Sequence, residues 1–293
     1  MRRALAASAG IVADRVLGEP PSAVHPVVAF GRVMRRVERA VYGDARAPGV
    51  THAAVGVGVG LAAGAAVGST GIATYVAVGG RALADAANAV AAALDAGDLA
   101  QARALLPSLV GRDPAGLDEA GVARAVVESV AENTVDAVVA PAVWGTVLGA
   151  PGALGYRAVN TLDAMVGHRS TRHRHYGWAS ARLDDAAGWA PARITAALVA
   201  ATRPRSAAAV WTAVRTQAPA HPSPNSGVAE AAFAAALGLC LGGESRYGDR
   251  VEVRPPLGTG RPAEAADIAR AVSLSRDVSL ALAAALACWG LRA

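Results

Sequence analysis

The longest apolar stretch of the chain covers residues 53–80 and contains no charged side chain. A helix needs about 20 apolar residues to cross a bilayer, so this stretch predicts a transmembrane helix. Within it glycine recurs at every fourth position, at Gly56, Gly60, Gly64 and Gly68. This spacing predicts a smooth helix face against which a second helix packs closely in lipid. The alternative is that a glycine-rich composition placed these residues by chance.

The apolar run at 137–156 is long enough to span a bilayer but carries Pro141 and Pro151. A continuous span would separate the polar clusters on its two sides by about 30 Å of hydrocarbon. A re-entrant or protein-buried hairpin, broken at Gly and Pro, would keep them together, and we favour it. Three further apolar segments are short or charged, and we expect them to be tilted, half-buried or packed inside a bundle: 187–202, 231–243 and 278–291.

Polar and apolar positions alternate with a helical period over 81–106 and 117–136, and Asp118 is placed to cap the second helix. The N-terminal segment predicts a retained helix rather than a signal peptide. Strand signals are confined to 246–258, which predict a short β-hairpin or an extended loop. The whole pattern predicts an all-α fold with a single domain over 1–293: a multi-pass integral membrane helical bundle with amphipathic helices and polar active-site loops.

Composition supports a membrane protein, because 53% of the residues are hydrophobic and only 17% are charged. Soluble proteins carry about a quarter charged residues. All 28 basic residues are arginine, so any bound phosphate must be held by Arg, His, backbone N–H groups or a metal. The net charge is +5, yet the arginines are dispersed and aromatic residues do not interleave with them. We therefore expect no nucleic-acid partner, and expect anionic small molecules and lipid headgroups instead.

An acidic stripe precedes the 137–156 run. Arg124, Glu128, Glu132 and Asp136 are spaced four residues apart and share one helix face. A solvated salt-bridge ladder is one interpretation, but it leaves Glu132 and Asp136 without a basic partner on that face. Buried carboxylates without a partner cost several kcal/mol each. A divalent cation would remove that cost, and Mg²⁺ prefers a few carboxylates together with phosphate oxygens.

A basic cluster follows the run, with three His and three Arg between His168 and His175. An exposed basic loop is one interpretation, and a zinc site is a weaker one because no Cys lies nearby. A phosphate-binding loop fits better, since Arg side chains grip phosphate oxygens. Asp184 and Asp185 close this region as helix caps or as a paired metal site. Residues 223–227, SPNSG, predict either a turn with an N-cap or an anion-binding nest.

The motifs together resemble the CobD/CbiB family, the membrane-bound adenosylcobinamide-phosphate synthases of cobalamin biosynthesis. The matching blocks cover nearly the whole chain in the family's order: D-x3-GEP-x4-HPV at 14–27, VGRD at 110–113, ARAVVESVAENTVDAVVAP at 123–141, NTLDAMVGH at 160–168, YGWASARLDD at 176–185 and SPNSG at 223–227. The chain departs from the family where members often carry lysine, at Arg157 and His168. We therefore do not expect either side chain to act as the proton acceptor.

The resemblance implies an ATP-dependent ligation. A propionate carboxylate of adenosylcobyric acid is joined to the amine of (R)-1-aminopropan-2-ol phosphate, or of a related aminoalcohol, with ATP and Mg²⁺ as cofactors. It also implies a multi-pass protein of the cell membrane with its active site facing the cytoplasm. Its expected partners are the lipid bilayer, the two substrates and other membrane-associated enzymes of the pathway, and the oligomeric state is left open.

On this basis we assign a role to each candidate residue. The expected magnesium ligands and bases are Glu132, Asp136, Asp163, Asp184 and Asp185, with Glu132, Asp184 and Asp185 as the metal ligands. The expected phosphate and ATP ligands are His168, Arg169, Arg172 and Arg182. The expected substrate-binding residues are His25, Asn133, Asn160, Asn225 and Ser226.

Two other classes of protein fit the sequence less well. A transporter that binds a cation or corrinoid would carry its acids at the centre of apolar spans and show an inverted repeat, whereas these acids lie at the edges of spans. A soluble helical enzyme that uses diphosphates would carry a DDxxD motif, whereas the only adjacent aspartates here, at 184–185, have no third acid at that spacing.

Overall fold

The computed structural model describes residues 2–20, 25–111, 113–168, 170–247 and 250–292. The described part of the chain is mostly helical, with a small three-stranded sheet. The helices are α1 (Arg2–Leu17), α2 (Pro26–Val41), α3 (Arg46–Val67), α4 (Thr70–Ala77), α5 (Gly80–Asp95), α6 (Leu99–Leu105), α7 (Glu119–Thr134), α8 (Ala140–Leu148), α9 (Ala150–Leu162), α10 (Trp178–Thr202), α11 (Ala207–Thr216), α12 (Ser226–Leu237) and α13 (Ala265–Arg292). The strands are β1 (Leu239–Tyr247), β2 (Arg250–Leu257) and β3 (Arg261–Pro262).

Two compact units can be distinguished in the chain. Unit 1 comprises Met1–Gly79, Asp136–Pro191 and Leu282–Ala293, and unit 2 comprises Gly80–Val135 and Ala192–Ala281. Among the described helices, α3 and α13 are long and apolar enough to cross a membrane. Two such helices give weak support for a membrane location, and they do not confirm the predicted multi-pass bundle.

The predicted span at 53–80 has the wrong bounds. Helix α3 begins earlier, at Arg46, and ends at Val67, because Gly68 adopts a left-handed conformation with φ of 67°. Ser69 then begins α4 as its N-cap, and its Oγ accepts a hydrogen bond from Ile72 N at 3.4 Å. The sequence 53–80 therefore forms most of one long helix and all of a short one.

The glycine face of α3 is confirmed for three of its four members. A Cβ atom on Gly60 would lie 2.6 Å from Ala158 Cβ of α9, and one on Gly64 would lie 2.5 Å from the carbonyl oxygen of Ala150. A Cβ atom on Gly56 would lie 2.7 Å from Cδ1 of Leu162, which is also on α9. Helix α9 therefore packs against α3 at a distance that no larger residue at these positions permits.

The break predicted in 137–156 is confirmed. Helices α8 and α9 have nine and 13 residues, and Gly149 separates them with φ of 74° and ψ of −154°. Each helix is too short to cross a bilayer at 1.5 Å per residue. Pro141 and Pro151 lie in the first turns of their helices, where a missing N–H costs little.

Two prolines also remove hydrogen-bond donors within unit 1, and other groups replace them. Pro141 cannot donate to the carbonyl oxygen of Ala137, which instead accepts from Gly79 N at 2.9 Å. Pro191 lies inside α10 and leaves the carbonyl oxygen of Ala187 without its donor. The indole Nε1 of Trp144 on α8 donates to that oxygen at 3.0 Å. The carbonyls freed by these prolines thus connect elements of the unit.

Three sequence predictions for unit 2 need correction. Residues 81–106 form two helices, because a turn that contains Gly97 with φ of 71° separates α5 from α6. The segment 231–243 is not one apolar helix, since α12 ends at Leu237 and left-handed Gly238 leads into β1. The fold is mostly helical, as predicted, but the expected hairpin near 246–258 is part of a three-stranded sheet.

The predicted hairpin near 246–258 is present as β1 and β2, but it begins at Leu239. The two strands pair antiparallel, with Leu241 opposite Leu257 and an irregularity between Leu241 and Gly243. Strand β3 adds a short parallel pairing on the other side of β1. The apolar first half of β1 resembled a helix because it continues the hydrophobic run of α12 without a polar break.

Candidate functional site

Three segments of unit 1 bring polar side chains together around Asn160. Its Nδ2 donates to Asp136 Oδ2 at 3.1 Å and lies 3.4 Å from Asp184 Oδ1. The hydroxyl of Tyr156 donates to the other oxygen of Asp136 at 3.3 Å. One amide nitrogen therefore lies within hydrogen-bonding distance of two carboxylates from different segments. This group, Asp136, Tyr156, Asn160 and Asp184, is the carboxylate centre.

Local structure explains how the carboxylate centre forms. Tyr156 and Asn160 are one helical turn apart on α9, so their side chains share a face. Asp136 lies in a π-helical turn, Val135–Val139, and Asp184 lies on α10. A second π-turn, Asp163–Gly167, contains another of the predicted acids. Turns of this kind occur frequently at functional sites.

The carboxylate centre combines two acids with two hydrogen-bond donors, Tyr156 and Asn160. Tyr156 is 3% exposed, and its burial, together with the charges of Asp136 and Asp184, raises the pKa of its hydroxyl well above 10. Tyr156 therefore stays protonated and acts as a donor. Two carboxylates this close repel each other unless a donor or cation lies between them.

The oxygen donors fit Mg²⁺ bound together with a nucleotide. Mg²⁺ is usually held by one or two carboxylates, with phosphate oxygens and water completing its shell. Across the described residues, no group of three or more His, Cys, Asp or Glu side chains is placed to hold a metal. Asp136 and Asp184 are therefore the carboxylates of this centre that could hold such an ion.

The remaining acidic candidates of unit 1 lie at distinct places. Asp185 forms an ion pair with Arg182 at 3.7 Å, and the Arg182 side chain is 70% exposed. Asp163 opens the second π-turn and lies against Gly167, where an added Cβ would overlap its Oδ1. The structure therefore brings Asp136, Asn160 and Asp184 together but pairs Asp185 with the predicted phosphate ligand Arg182.

The predicted phosphate loop contacts Glu38 of α2. Arg172 NH2 lies 3.2 Å from Glu38 Oε1, and His173 Nε2 lies 3.1 Å from the same oxygen. His173 Nδ1 in turn lies 3.1 Å from His168 Nε2. Arg172 also stacks on the ring of Tyr42, 4.0 Å from its centroid. The prediction at Arg169 lies outside the described residues.

These contacts change the pKa values of Glu38 and His168. Burial alone would raise the pKa of Glu38, but hydrogen bonds from His173 and Arg172 outweigh it, so the pKa lies below 4.5. Burial, and then the neighbouring His173, lowers the pKa of His168 below 6.5. Glu38 is therefore a carboxylate and His168 a neutral imidazole near pH 7.

Unit 2 holds the other predicted substrate ligands at the start of α12. Ser226 Oγ donates to Glu132 Oε1 at 2.7 Å. Arg193 NH1 donates to Asn225 Oδ1 at 3.2 Å and to the carbonyl oxygen of Pro224 at 3.0 Å. Burial lowers the pKa of Arg193. The Glu132 carboxylate therefore lies at the N-terminus of α12.

The SPNSG segment forms a turn. Ser223 Oγ accepts hydrogen bonds from the backbone N–H groups of Asn225 at 3.3 Å and Ser226 at 3.1 Å. Gly227 N donates to the carbonyl oxygen of Ser223 at 3.3 Å. Because these amides already have acceptors, the turn prediction is correct and the alternative of an anion-binding nest is not supported.

The salt-bridge interpretation of Arg124 and Glu128 is right in pairing but wrong in exposure. The two side chains lie 4.0 Å apart, and Glu128 is 2% exposed. Glu128 accepts a hydrogen bond from Gly242 N at 2.8 Å, and Arg124 donates to the carbonyl oxygens of Gly242 and Glu244. The pair therefore anchors the irregular part of β1 to α7.

Two predicted substrate ligands make local contacts. His25 Nδ1 accepts from Val27 N at 3.2 Å as the N-cap of α2, and its Nε2 lies 3.5 Å from Glu19. Asn133 Nδ2 donates to the carbonyl oxygen of Ser129 at 2.9 Å. These contacts orient both side chains within their own units.

Sequence reasoning missed several polar residues. Tyr156 has a detectable signal, since it precedes Asn160 by one helical turn. Glu230 is fully buried in unit 2, with Arg254 Nη1 at 3.6 Å and His221 Nε2 at 3.7 Å. Arg254 comes from strand β2, and no periodicity in the sequence connects it to α12.

Comparison with known proteins identifies the family to which this chain is similar. The profile of the family described as CobD/Cbib protein matches residues 7–275. The cobalamin biosynthesis protein CobD of Mycobacterium tuberculosis is 46% identical over 292 residues, covering 94% of this chain and 92% of that protein. The proteins of the same name from Chromobacterium violaceum and Stutzerimonas stutzeri are 44% and 42% identical, over 98% and 90% of both chains. No solved structure matches. The chain therefore belongs to the CobD/CbiB family of cobalamin biosynthesis proteins.

Proposed function

We propose that the chain is an ATP-dependent ligase that forms adenosylcobinamide phosphate. Its substrates are adenosylcobyric acid and (R)-1-aminopropan-2-ol phosphate, or a related aminoalcohol. The observation that carries the proposal is the carboxylate centre of unit 1, where Asn160 lies between Asp136 and Asp184. Two carboxylates held in this way suit the magnesium complex of a nucleotide.

The chemistry proceeds in two balanced steps. A carboxylate oxygen of the corrinoid attacks the terminal phosphorus of ATP, forming an acyl phosphate and releasing ADP. The neutral amine then attacks the acyl carbon, the amide bond forms, and inorganic phosphate leaves. Magnesium, when bound, neutralises the phosphate oxygens during the first step. The amine must also lose a proton to a base of the protein.

The residues of the carboxylate centre serve the first step. Asp136 and Asp184 would hold the metal, and Tyr156 and Asn160 fix the direction of their oxygens by donating hydrogen bonds. Removing such supporting groups costs metal affinity or activity about 10- to 100-fold in known metal sites. Because the Tyr156 hydroxyl remains protonated, it adds no negative charge beside the two carboxylates.

The other predicted residues retain their proposed roles. Glu132, Asp163 and Asp185 are candidate metal ligands or bases. The candidate phosphate ligands are His168, Arg169, Arg172 and Arg182, and the candidate substrate ligands are His25, Asn133, Asn225 and Ser226. Arg172 would have to exchange its ion pair with Glu38 for a phosphate. We also propose a multi-pass location in the cell membrane, with the site facing the cytoplasm and other membrane-associated pathway enzymes nearby.

The test is synthase activity in detergent, with adenosylcobyric acid, aminopropanol phosphate and Mg-ATP. ADP release and the mass of the corrinoid product are followed. We expect Asp184→Asn and Asp136→Asn to lower turnover about 100-fold or more, because each removes charge that binds the metal. Asp85→Asn is the matched control, since Asp85 is an exposed acid of α5 that pairs only with the exposed Arg81 among the described contacts.

Two results would contradict the proposal. Absence of substrate-dependent ADP release by the wild-type protein would remove the reaction itself. Wild-type turnover by both variants would leave the reaction in place but remove the carboxylate centre from it. Glu132→Gln in the same assay tests whether unit 2 contributes a ligand or a base.

A further inference from the structure

We propose that the outer face of α2 binds the headgroups of anionic phospholipids. The face carries four exposed arginines: Arg32, Arg35, Arg36 and Arg39. At about 100° per residue, these four positions fall within roughly 100° of the helix circumference. No acidic residue shares this arc, so the helix presents one concentrated positive stripe, called here the arginine face.

The opposite side of α2 is fixed to unit 1. Gly31 and Met34 are buried, and the carbonyl oxygen of Met34 lies 3.1 Å from His52 Nε2 of α3. Glu38, the only acid of α2, turns towards Arg172 and His173. In the described part of the chain, no ion pair involves any of the four arginines. The arginine face is therefore held outwards, and no described acidic side chain neutralises its charge.

The position of α2 beside α3 favours a membrane over other polyanions. Helix α2 ends at Val41, and the apolar helix α3 begins at Arg46. Arg46 stacks on Trp178 at 4.9 Å, a pairing of residue types enriched where helices enter a bilayer. An amphipathic helix beside such an entry lies at the level of the headgroups.

The charge distribution around α3 also indicates which leaflet is involved. Arg32, Arg35, Arg36 and Arg39 precede α3, whereas the first arginine after its C-terminus is Arg81. Excess arginine on one side of a span marks the cytoplasmic side. That leaflet carries the anionic lipids, and basic residues close to it are attracted within about one Debye length. The positive charge of the arginine face therefore complements the anionic lipid headgroups of that leaflet.

The experiment uses the full chain, stripped of lipid in an uncharged detergent. Phosphatidylglycerol or phosphatidylcholine is titrated in, and the thermal unfolding midpoint reports binding. We expect phosphatidylglycerol to bind at least about tenfold more tightly, with a preference that shrinks as salt rises. Replacing Arg32, Arg35, Arg36 and Arg39 together by Gln should abolish that preference.

Two further variants serve as controls. Replacing the exposed arginines Arg81, Arg205, Arg215 and Arg276 by Gln makes the same change in net charge elsewhere and should leave the preference intact. Replacing the four α2 arginines by Lys keeps the charge and should preserve most of it. Circular dichroism verifies that each variant retains its helices.

Three outcomes would overturn the proposal. The first is an unchanged lipid preference in the Gln variant of α2. The second is equal stabilisation by glycerol phosphate, which would indicate a site for a free anion. The third is displacement of phosphatidylglycerol by an oligonucleotide at physiological salt. None of these results depends on ligase activity, so the proposal is tested separately from the proposed function.

Discussion

At the scale of single residues, Asn160 defines the candidate site. An amide nitrogen can donate to two acceptors, and here both are carboxylates from other segments of the chain. The sequence predicted Asp136 from the acidic stripe, Asn160 from its nearness to the basic cluster, and Asp184 from the adjacent pair 184–185. Tyr156 was missed although it lies one helical turn before Asn160, because a tyrosine in a helix is most often a core residue.

The phosphate loop gives a prediction about acid stability. The pKa of Glu38 is lowered in the folded protein, so its contribution to stability is present above the unfolded value of 4.5 and is lost as pH falls through the folded value. The lowered pKa of His168 acts in the same direction below 6.5, because protonation then favours the unfolded state.

Glu38→Gln removes the carboxylate that holds Arg172 and His173. We expect the variant to be less stable at neutral pH by about 1–3 kcal/mol, the cost of losing hydrogen bonds between charged groups. Its unfolding midpoint should then depend less on pH below 4.5 than that of the wild type. Thermal unfolding over a pH series measures both effects, and parallel curves for the two proteins would contradict this account.

At the scale of elements, close packing of α3 on α9 can be tested with two neighbouring glycines. Gly60→Ala places a Cβ 2.6 Å from Ala158 Cβ and should destabilise the protein by about 1–3 kcal/mol through overpacking. Gly58→Ala is the matched control, because a Cβ there meets nothing within 4 Å. It should be neutral or stabilising by up to about 1 kcal/mol, since Ala favours helix.

The unfolding midpoint of each variant decides this comparison. If both glycine substitutions have the same effect, helix propensity alone is being measured and α9 does not approach as described. The spacing of these glycines was visible in the sequence, but the partner helix was not. Packing partners depend on how the chain folds back, which here follows from the break at Gly149.

The indole of Trp144 offers a second test at this scale. Trp144→Phe leaves the carbonyl oxygen of Ala187 without a donor, and we expect a cost of about 1–3 kcal/mol beyond the loss of packing. Pro191→Ala restores a backbone N–H that can donate to the same oxygen. The cost of Trp144→Phe should therefore be smaller in the Pro191→Ala background, and a double-mutant cycle of unfolding measures this coupling. Simple additivity of the two substitutions would refute it.

Elements were predicted best where local chemistry decides them. Asp118 caps α7 as expected, with its Oδ1 2.8 Å from Gly121 N. The prediction failed at β1, because a hydrophobic run of helix and strand looks continuous when only glycine separates them. Burial of Arg124 and Glu128 also escaped prediction, since the covering strand comes from more than 100 residues away.

At the scale of the whole molecule, the balance of apolar surface gives a prediction about localisation. Large apolar side chains on α3 remain exposed, among them Val55, Val59 and Leu61. Lipid would cover these side chains if α3 crossed the bilayer, as its length and composition allow. We expect the chain to sediment with membranes in fractionated cells and to require detergent for release. Recovery in the soluble fraction after a carbonate or high-salt wash would contradict a spanning α3.

The π-turns at Val135–Val139 and Asp163–Gly167 have a consequence for how this protein can change. A π-turn arises where a helix contains one extra residue. The carboxylate in each turn, Asp136 or Asp163, therefore points in a direction that it would not have in a regular α-helix. Substitutions leave the extra residue in place. Deleting one residue from the first turn would instead restore a regular helix and rotate Asp136 by about 100° around the helix axis. A relative that has lost one residue at either turn should therefore direct its acid differently even where the aspartate itself is kept.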